Sequence, residues 1–284
     1  MLRSLFTGVS GLSAHKQMLD VTANNIANVN TTGFKSSTTV FEDTLSQTLT
    51  GGGAATATAG GTNATQIGLG VKLAATSLNF TQGAYQATGV ASNMIINGDG
   101  FFVVSNNGQE EYTRAGSFSL DDQGQLVSPD GSIAMGYGTT TDPVTGATSI
   151  DTTQLVPLKF PGLTNGTYAS YSIDSNGVIS AVNGSTGAID KLGQVGMATF
   201  ANPNGLVKSG DTEFIASGAS GTPTYGTPSS GAMGSVTSGY IEMSNVNIAQ
   251  EMTNLIIAQR GFQANSKVIS TSDEVLQTLV NLKN

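Results

Sequence analysis

The sequence predicts an α+β fold. N- and C-terminal helices pair as an antiparallel coiled coil, a central antiparallel, mainly β domain lies between them in the chain, and a Gly/Thr/Ala-rich connector follows the first helix. Three observations carry this. Apolar residues recur at intervals of seven at both ends of the 284-residue chain. Asn-Gly and Asp-Gly steps punctuate short β-branched and aromatic runs in the middle. A stretch from 50 to 66 is built almost wholly of Gly, Ala and Thr.

At the N-terminal end, Leu5, Leu12, Leu19 and Ile26 form one column, with Leu2 and Val9 beside it. A period of seven is the signature of an amphipathic helix with a narrow apolar seam. The helix is expected over residues 3–28, ~40 Å at 1.5 Å per residue, ending in the turn-rich run Asn28 to Gly33. Gly8 and Gly11 are expected to weaken its first half. Residues 1–30 make a helical domain and 31–70 the connector.

Residues 71–243 are assigned to the β domain. Turn steps fall at 97–98, 99–100, 107–108, 130–131, 176–177, 183–184 and 204–205. They separate the expected strands 101–104, 117–120, 133–137, 169–173 and 195–200. The runs 119–126 and 172–179 share one order (Ser, apolar, Asp, two polar residues, Gly, any residue, apolar), and both are expected to be hairpins. Residues 217–235, rich in Gly, Ser, Pro and Thr, are expected as a second flexible connector.

The C-terminal helix is assigned to 244–284. Ile248, Leu255, Phe262, Ile269 and Leu276 repeat the period more strictly, and Asn247 or Ser244 is placed to cap it. Pairing the two seams leaves Leu2, Val9, Met18, Ile256, Ile257, Val268, Val275 and Leu279 as apolar patches needing neighbours. Self-association would cover them. A helical pair folded back on the β domain would do so equally well, and the residues alone leave both open.

Charged residues are only 11% of the chain, against roughly 25% in ordinary domains. The net charge of -8 is uneven: residues 1–30 carry +1 and 244–284 carry 0, so the middle carries -9. Nucleic acid is not expected as a partner, because binding it needs clustered Lys and Arg. With no cysteine, neither disulfides nor thiolate metal sites are available. The N-terminus lacks a sustained apolar leader segment, and no run approaches the ~18 apolar residues of a membrane span.

No enzyme is expected. The one histidine, His15, falls between seam positions and reads as a surface residue. Gly98-Asp99-Gly100 lacks the third glycine of a dinucleotide fingerprint, and a tight turn explains it. The runs Asp121 to Gly124 and Asp174 to Gly177 lack the later Glu of a calcium loop. No cofactor, metal or small-molecule substrate is expected.

Several motifs carry a resemblance. Ser10-Gly11-Leu12, Leu19-Asp20-Val21 and the run Asn24-Asn25-Ile26-Ala27-Asn28-Val29-Asn30-Thr31-Thr32-Gly33-Phe34-Lys35 resemble the N-terminal signature of the bacterial flagellar rod and hook (axial) proteins. Gly98-Asp99-Gly100-Phe101-Phe102-Val103 and Tyr112-Thr113-Arg114-Ala115-Gly116-Ser117-Phe118 resemble that family's central motifs. The C-terminal run Gln259-Arg260-Gly261-Phe262-Gln263-Ala264-Asn265-Ser266-Lys267-Val268-Ile269 is more similar to hook than to distal rod members.

The resemblance implies a subunit of the flagellar hook, with a distal rod subunit as the alternative and an extracellular fibre or adhesin domain as an alternative of another class. It implies a homopolymeric tube whose inner wall is the paired helices and whose β body faces outward, with residues 139–165 a remnant of an inserted outer domain. Implied partners are the rod, the hook cap, the hook-filament junction and the flagellar type III export apparatus. Implied location is outside the cell, reached without a cleaved signal peptide. Phe41-Glu42-Asp43-Thr44-Leu45 has the Phe-x-x-x-apolar form of an early export signal, and equally that of an i, i+4 pair on a short helix.

Overall fold

A computed structural model describes residues 2–55, 60–141 and 148–282. Two long helices and a large antiparallel sheet make the chain α+β. It divides into two compact units: residues 1–27, 37–79 and 246–284 form the first, and residues 28–36 and 80–245 the second.

The first unit holds both terminal helices. Leu2–Ala27 forms the N-terminal helix and Ile248–Asn281 the C-terminal one, 34 residues long. Asn247 caps the latter, its side-chain oxygen accepting from Ala249 N at 3.1 Å and Gln250 N at 3.3 Å. Glu251 in the first turn complements the positive end of the helix dipole.

Two ribbons complete this unit. Ser37–Asp43 pairs antiparallel with Val71–Leu78, and Ser46–Thr50 pairs with Thr65–Gly68. The span 31–70, expected as connector, thus carries three strands, and an isolated bridge joins Gly53 to Thr62. Thr and β-branched residues at both ribbon edges favour pairing. Residues 56–59, inside the expected flexible stretch, lie outside the described residues.

The second unit is built on a 14-stranded sheet, counted among the described residues. Its main path runs Tyr168–Ile173, Val178–Asn183, Ile189–Val195, Ile133–Thr141, Phe101–Asn106, Gln109–Thr113, Glu213–Ile215, Val207–Gly210, all pairs antiparallel. Met94, Ile96, Phe102, Val104, Phe118, Leu126, Leu158, Phe160, Ile179, Val195, Met197 and Val236 form its buried core. A second aromatic group stacks edge to face, with Phe101 5.3 Å from Phe80 and 5.8 Å from Phe200, ring centre to ring centre.

The two look-alike runs are both hairpins built by one device. Ser119–Leu120 pairs with Leu126–Val127, and Tyr168–Ile173 with Val178–Asn183. In each, a glycine N–H (Gly124, Gly177) donates to the carbonyl of the turn aspartate (Asp121, Asp174), at 3.1 and 2.8 Å. Both glycines have positive φ, 75° and 71°.

Three expectations are corrected. The expected strand 195–200 is two strands, broken at Gly196, where an added Cβ would stand 2.4 Å from Leu155 Cδ2. Of 117–120, only Ser119–Leu120 is strand. Residues 217–235 are tied rather than loose: Ser220 is fully buried, and Thr224–Gly226 pairs with Met197–Thr199. Of 139–165, residues 142–147 lie outside the described residues; Thr148–Ile150 and Val156–Pro157 pair back on Ile133–Thr141.

Candidate functional site: the helix pair and the buried signature cluster

In the first unit the two helices run antiparallel, side by side. Ser4 Oγ lies 3.4 Å from Ser272 Oγ. A Cβ at Gly8 would stand 3.1 Å from Ile269 Cγ1, one at Gly11 2.7 Å from Asn265 Oδ1, and one at Gly261 2.4 Å from His15 Cε1. As the N-terminal helix advances 4, 8, 11, 15, the C-terminal one retreats 272, 269, 265, 261. Gly8, Gly11 and Gly261 are where the opposite helix lays its side chains, and small residues let the axes approach.

Asn265 folds back to donate to Gly261 O at 2.9 Å, which holds its side chain over Gly11. His15, expected at the surface, is half-buried over Gly261 and 6.3 Å from the Phe41 ring, with Nδ1 buried and without a hydrogen-bond partner.

Leu5, Leu12, Leu19 and Ile26, and Leu255, Phe262, Ile269 and Leu276, are all half-buried. Ile248 departs from this column, being half exposed at the helix start. Val9, Ile256, Ile257, Val268, Val275 and Leu279 remain exposed, as do Phe6, Met252 and Val280. Met18 is half-buried, and the side chain of Leu2 lies outside the described residues. The helices therefore leave large apolar area in water, well beyond scattered single residues.

Asn25 closes the first unit locally: its side chain donates to Ser37 O at 2.8 Å and accepts from Ser37 N at 3.0 Å, as a neighbouring strand would. Asn24 and Ala27 are exposed. Arg260 is also exposed, reaching Gln263 Oε1 at 3.5 Å. Phe41 lies on the strand Ser37–Asp43 and Leu45 just beyond it, 79% exposed; the short-helix alternative is thus replaced by a strand.

The remaining signature residues converge inside the second unit. Lys35 and Glu242 meet at 2.6 Å, with both side chains wholly excluded from solvent. Lys35 Nζ also donates to Thr81 O at 2.8 Å, and Glu242 Oε1 accepts from Gly83 N at 2.8 Å. The Glu242 carbonyl accepts from Gly33 N at 2.8 Å. Asn245 accepts from Ser36 N at 2.9 Å and donates to Thr81 O at 3.1 Å. The segments 33–36, 81–83 and 242–245 are thereby bound to one another.

Arg114 lies beside this knot. Its Nη1 is 3.9 Å from Glu242 Oε2 and donates to Gly98 O at 2.9 Å, and its guanidinium sits 5.2 Å from the Phe101 ring centre. Burial lowers the Lys35 and Arg114 pKa values, and Glu242 opposes this in both. Gly98 and Gly100 have φ of 114° and 126°, positive values that fit the tight turn expected there. Gly33 and Gly116 are close-approach positions: a Cβ would meet Ala115 N at 2.4 Å and the Met94 carbonyl oxygen at 1.6 Å. The Phe34 ring lies 4.5 Å from Lys208 Nζ, and Asn28 Oδ1 accepts from Thr31 Oγ1 at 3.0 Å.

Sequence reasoning missed Glu242, Thr81 and Asn245, and Gly261 was visible only inside a motif. Lys35 was visible only as the end of a motif. Among the described residues no group of three or more His, Cys, Asp and Glu is placed to hold a metal.

Comparison with known proteins fits this arrangement. Residues 5–35 match the family described as flagella basal body rod protein, 95–181 the flagellar hook protein FlgE/F/G D1 domain, and 237–282 the flagellar basal body rod FlgEFG protein C-terminal family. The flagellar basal-body rod protein FlgG of Bacillus subtilis is 44% identical over 284 residues, covering all of both chains. The chain belongs to the flagellar rod and hook protein family. The Borreliella burgdorferi FlgG rod protein is 37% identical over 285 residues, covering 100% of this chain and 99% of its own. The flagellar hook protein FlgE of that organism is 29% identical over an alignment of 443 residues, covering all of both chains. As a member of the rod and hook family the chain is a structural flagellar component and not an enzyme. The buried cluster joins parts of all three matched regions: Lys35 from the first, Gly98 and Arg114 from the second, Glu242 from the third.

Proposed function

We propose that this chain is the structural subunit of the bacterial flagellar hook, self-assembling into a helical tube that acts as a flexible universal joint between motor and filament. The observation that carries assembly is the apolar area left exposed on a helix pair whose seam is already half-buried. A second copy of the chain covers such a surface at the least cost in specificity, because a self-complementary polymer needs no second gene product. The helices act as an antiparallel coiled coil in the inner wall, with Leu5, Leu12, Leu19, Ile26, Ile248, Leu255, Phe262, Ile269 and Leu276 as the seam. Close-packed apolar contacts give that wall stiffness.

The choice of hook rests on the run Gln259 to Ile269, which resembles hook members. A distal rod subunit is the second reading, favoured by the end-to-end match to rod proteins of similar length. On either reading the chain leaves the cell through the flagellar type III export apparatus, with Phe41 and Leu45 as export signal; on the hook reading the tube meets the rod, the hook cap and the hook-filament junction.

Electron microscopy of the concentrated full-length chain tests this. Curved tubes are expected from the native chain and none from Leu12→Asp or Leu255→Asp. Uniformly straight tubes would give the rod reading instead, and normal tubes from either variant would overturn the seam assignment.

A further inference from the structure

Three carboxyl groups crowd beside the turn of the hairpin that ends the main sheet, where Glu213 pairs with Gly210. Glu213 pairs in register with Thr113, so Glu111, two residues back on that strand, shares its face. Asp130 enters from the turn 128–131. Glu213 and Glu111 are 3% and 6% exposed, and Ser132 between Asp130 and Glu213 is fully buried. Among the described residues no cation pairs with any of the three acids; the ion pairs there are Lys35–Glu242, Lys72–Glu42 and Arg114–Glu242.

The hydroxyl inventory does not satisfy these acids as three carboxylates. Asp130 takes a hydroxyl hydrogen bond from Ser128; Ser132 Oγ lies 2.6 Å from Asp130 Oδ2 and 3.4 Å from Glu213 Oε2, and its single proton, turned to Glu213, would reach only Oε2 and leave Oε1 without a donor. Ser209 donates to Glu111 Oε1 at 2.8 Å. Glu213 Oε1 is buried with no hydrogen-bond partner. Lys35 and Lys208 line a cavity of about 340 Å³ with Glu213. Lys35 is held by Glu242, and Lys208 donates to Lys35 O at 3.1 Å. Asp211, from the hairpin tip, faces the same cavity and adds negative charge.

We propose that Glu213 is folded as the neutral carboxylic acid, and that its proton is the latch holding the edge hairpin 207–215 to the sheet, opened by alkali. A neutral Glu213 supplies the missing donor and removes one of the crowded charges. Burial is the largest cause pushing the Glu213 pKa up, to about 9, followed by its contact with Glu111 and the charge of Asp130. The tip it secures is strained: Gly210, Asp211 and Thr212 have φ of 130°, 46° and 65° in succession, and for a β-branched residue such as Thr212 that is an outlier. Losing the proton sets Glu213 against Glu111 and Asp130 and frees the strained tip to relax.

The sign follows from linkage. A carboxyl whose folded pKa lies above its unfolded value contributes stability at low pH that is lost as pH rises through the window from about 4.5 to about 9. In that window the native chain's folding equilibrium should weaken, relative to Glu213→Gln, by about tenfold per pH unit. Hydrogen exchange should localise the alkaline opening to 207–215. Parallel pH profiles for the two chains, or opening elsewhere, would overturn the proposal. Infrared spectra of the unaltered full chain supply a check independent of any variant: a protonated-carboxyl band at neutral pH that vanishes in alkali is expected, and its absence at neutral pH refutes the latch. A gain in stability on adding Ca²⁺ or Mg²⁺ at neutral pH, abolished in Glu213→Gln, would equally overturn it, since a cation rather than a proton would then neutralise the cluster.

Discussion

Replacing Glu242 with Gln keeps the shape of the side chain and one acceptor for Gly83 N, so what is lost is the charge facing Lys35. Lys35 and Glu242 are 2.6 Å apart with no solvent exposure, and Arg114 adds a second buried cation 3.9 Å from the other carboxylate oxygen. Removing one partner of a buried pair costs ~3–5 kcal/mol, because the other is left uncompensated. At ~2–4 °C per kcal/mol for a domain of this size, the melting midpoint of the β-rich unit should fall by roughly 6–20 °C. Near-ultraviolet circular dichroism of the monomer reads it through the buried Tyr112 and Tyr137. The deficit should shrink as pH rises toward 10.5. Burial already lowers the Lys35 pKa, and without Glu242 nothing opposes it, so the destabilising charge is shed as pH passes through the folded value. The double variant Lys35→Met, Glu242→Leu should recover much of the loss, since apolar replacement of a buried pair is often neutral. A midpoint within ~1 °C of native for Glu242→Gln, or a deficit that deepens with pH, would refute the assignment of Lys35 and Glu242 as an essential buried pair.

Other expectations concern the helices. Gly261→Leu places a branched side chain where a Cβ alone would stand 2.4 Å from the His15 ring; tube formation should fail while the melt of the β-rich unit is unchanged. Asn247→Ala removes the cap on Ala249 N and Gln250 N and should cost ~1 kcal/mol, seen as faster hydrogen exchange in the first turn. Phe41→Ala should lower secretion from a flagellated host; unchanged secretion would reject the export signal.

The long-period features were legible because they are repetitive. A seven-residue column sets the N-terminal helix within a residue of where it lies and the start of the C-terminal one within four, and Gly after a turn aspartate marks the hairpins at 121–124 and 174–177. Gly8 and Gly11 misled, because helix propensity charges a glycine for its freedom and is blind to the opposite helix that needs the space. Residues 37–50 and 65–68 were hidden by composition: the ribbon of Ser46–Thr50 and Thr65–Gly68 is exposed throughout, and in Ser37–Asp43, where burial does alternate, two of the half-buried positions are Ser37 and Thr39 rather than apolar residues. The Lys35–Glu242 pair had no local signal, since the partners are 207 residues apart and each reads as an ordinary surface charge. What could have flagged them is the low charge of the chain, in which a Lys or Glu inside an otherwise uncharged motif is uncommon.

The chain passes between its two units at residues 27–28, 36–37, 79–80 and 245–246. Just inside the second unit, the stretches adjoining the last three of these junctions are those cross-linked by Lys35, Thr81, Glu242 and Asn245. A tensile load applied between residues 36 and 245 would thus meet this clasp before the 14-stranded sheet, because Glu242 ends the short strand Tyr240–Glu242, which pairs with Tyr85–Ala87 outside that sheet. Placed so, the ionic knot offers force a short route from one junction to another, and an extension experiment should find it yielding before the fourteen-stranded sheet.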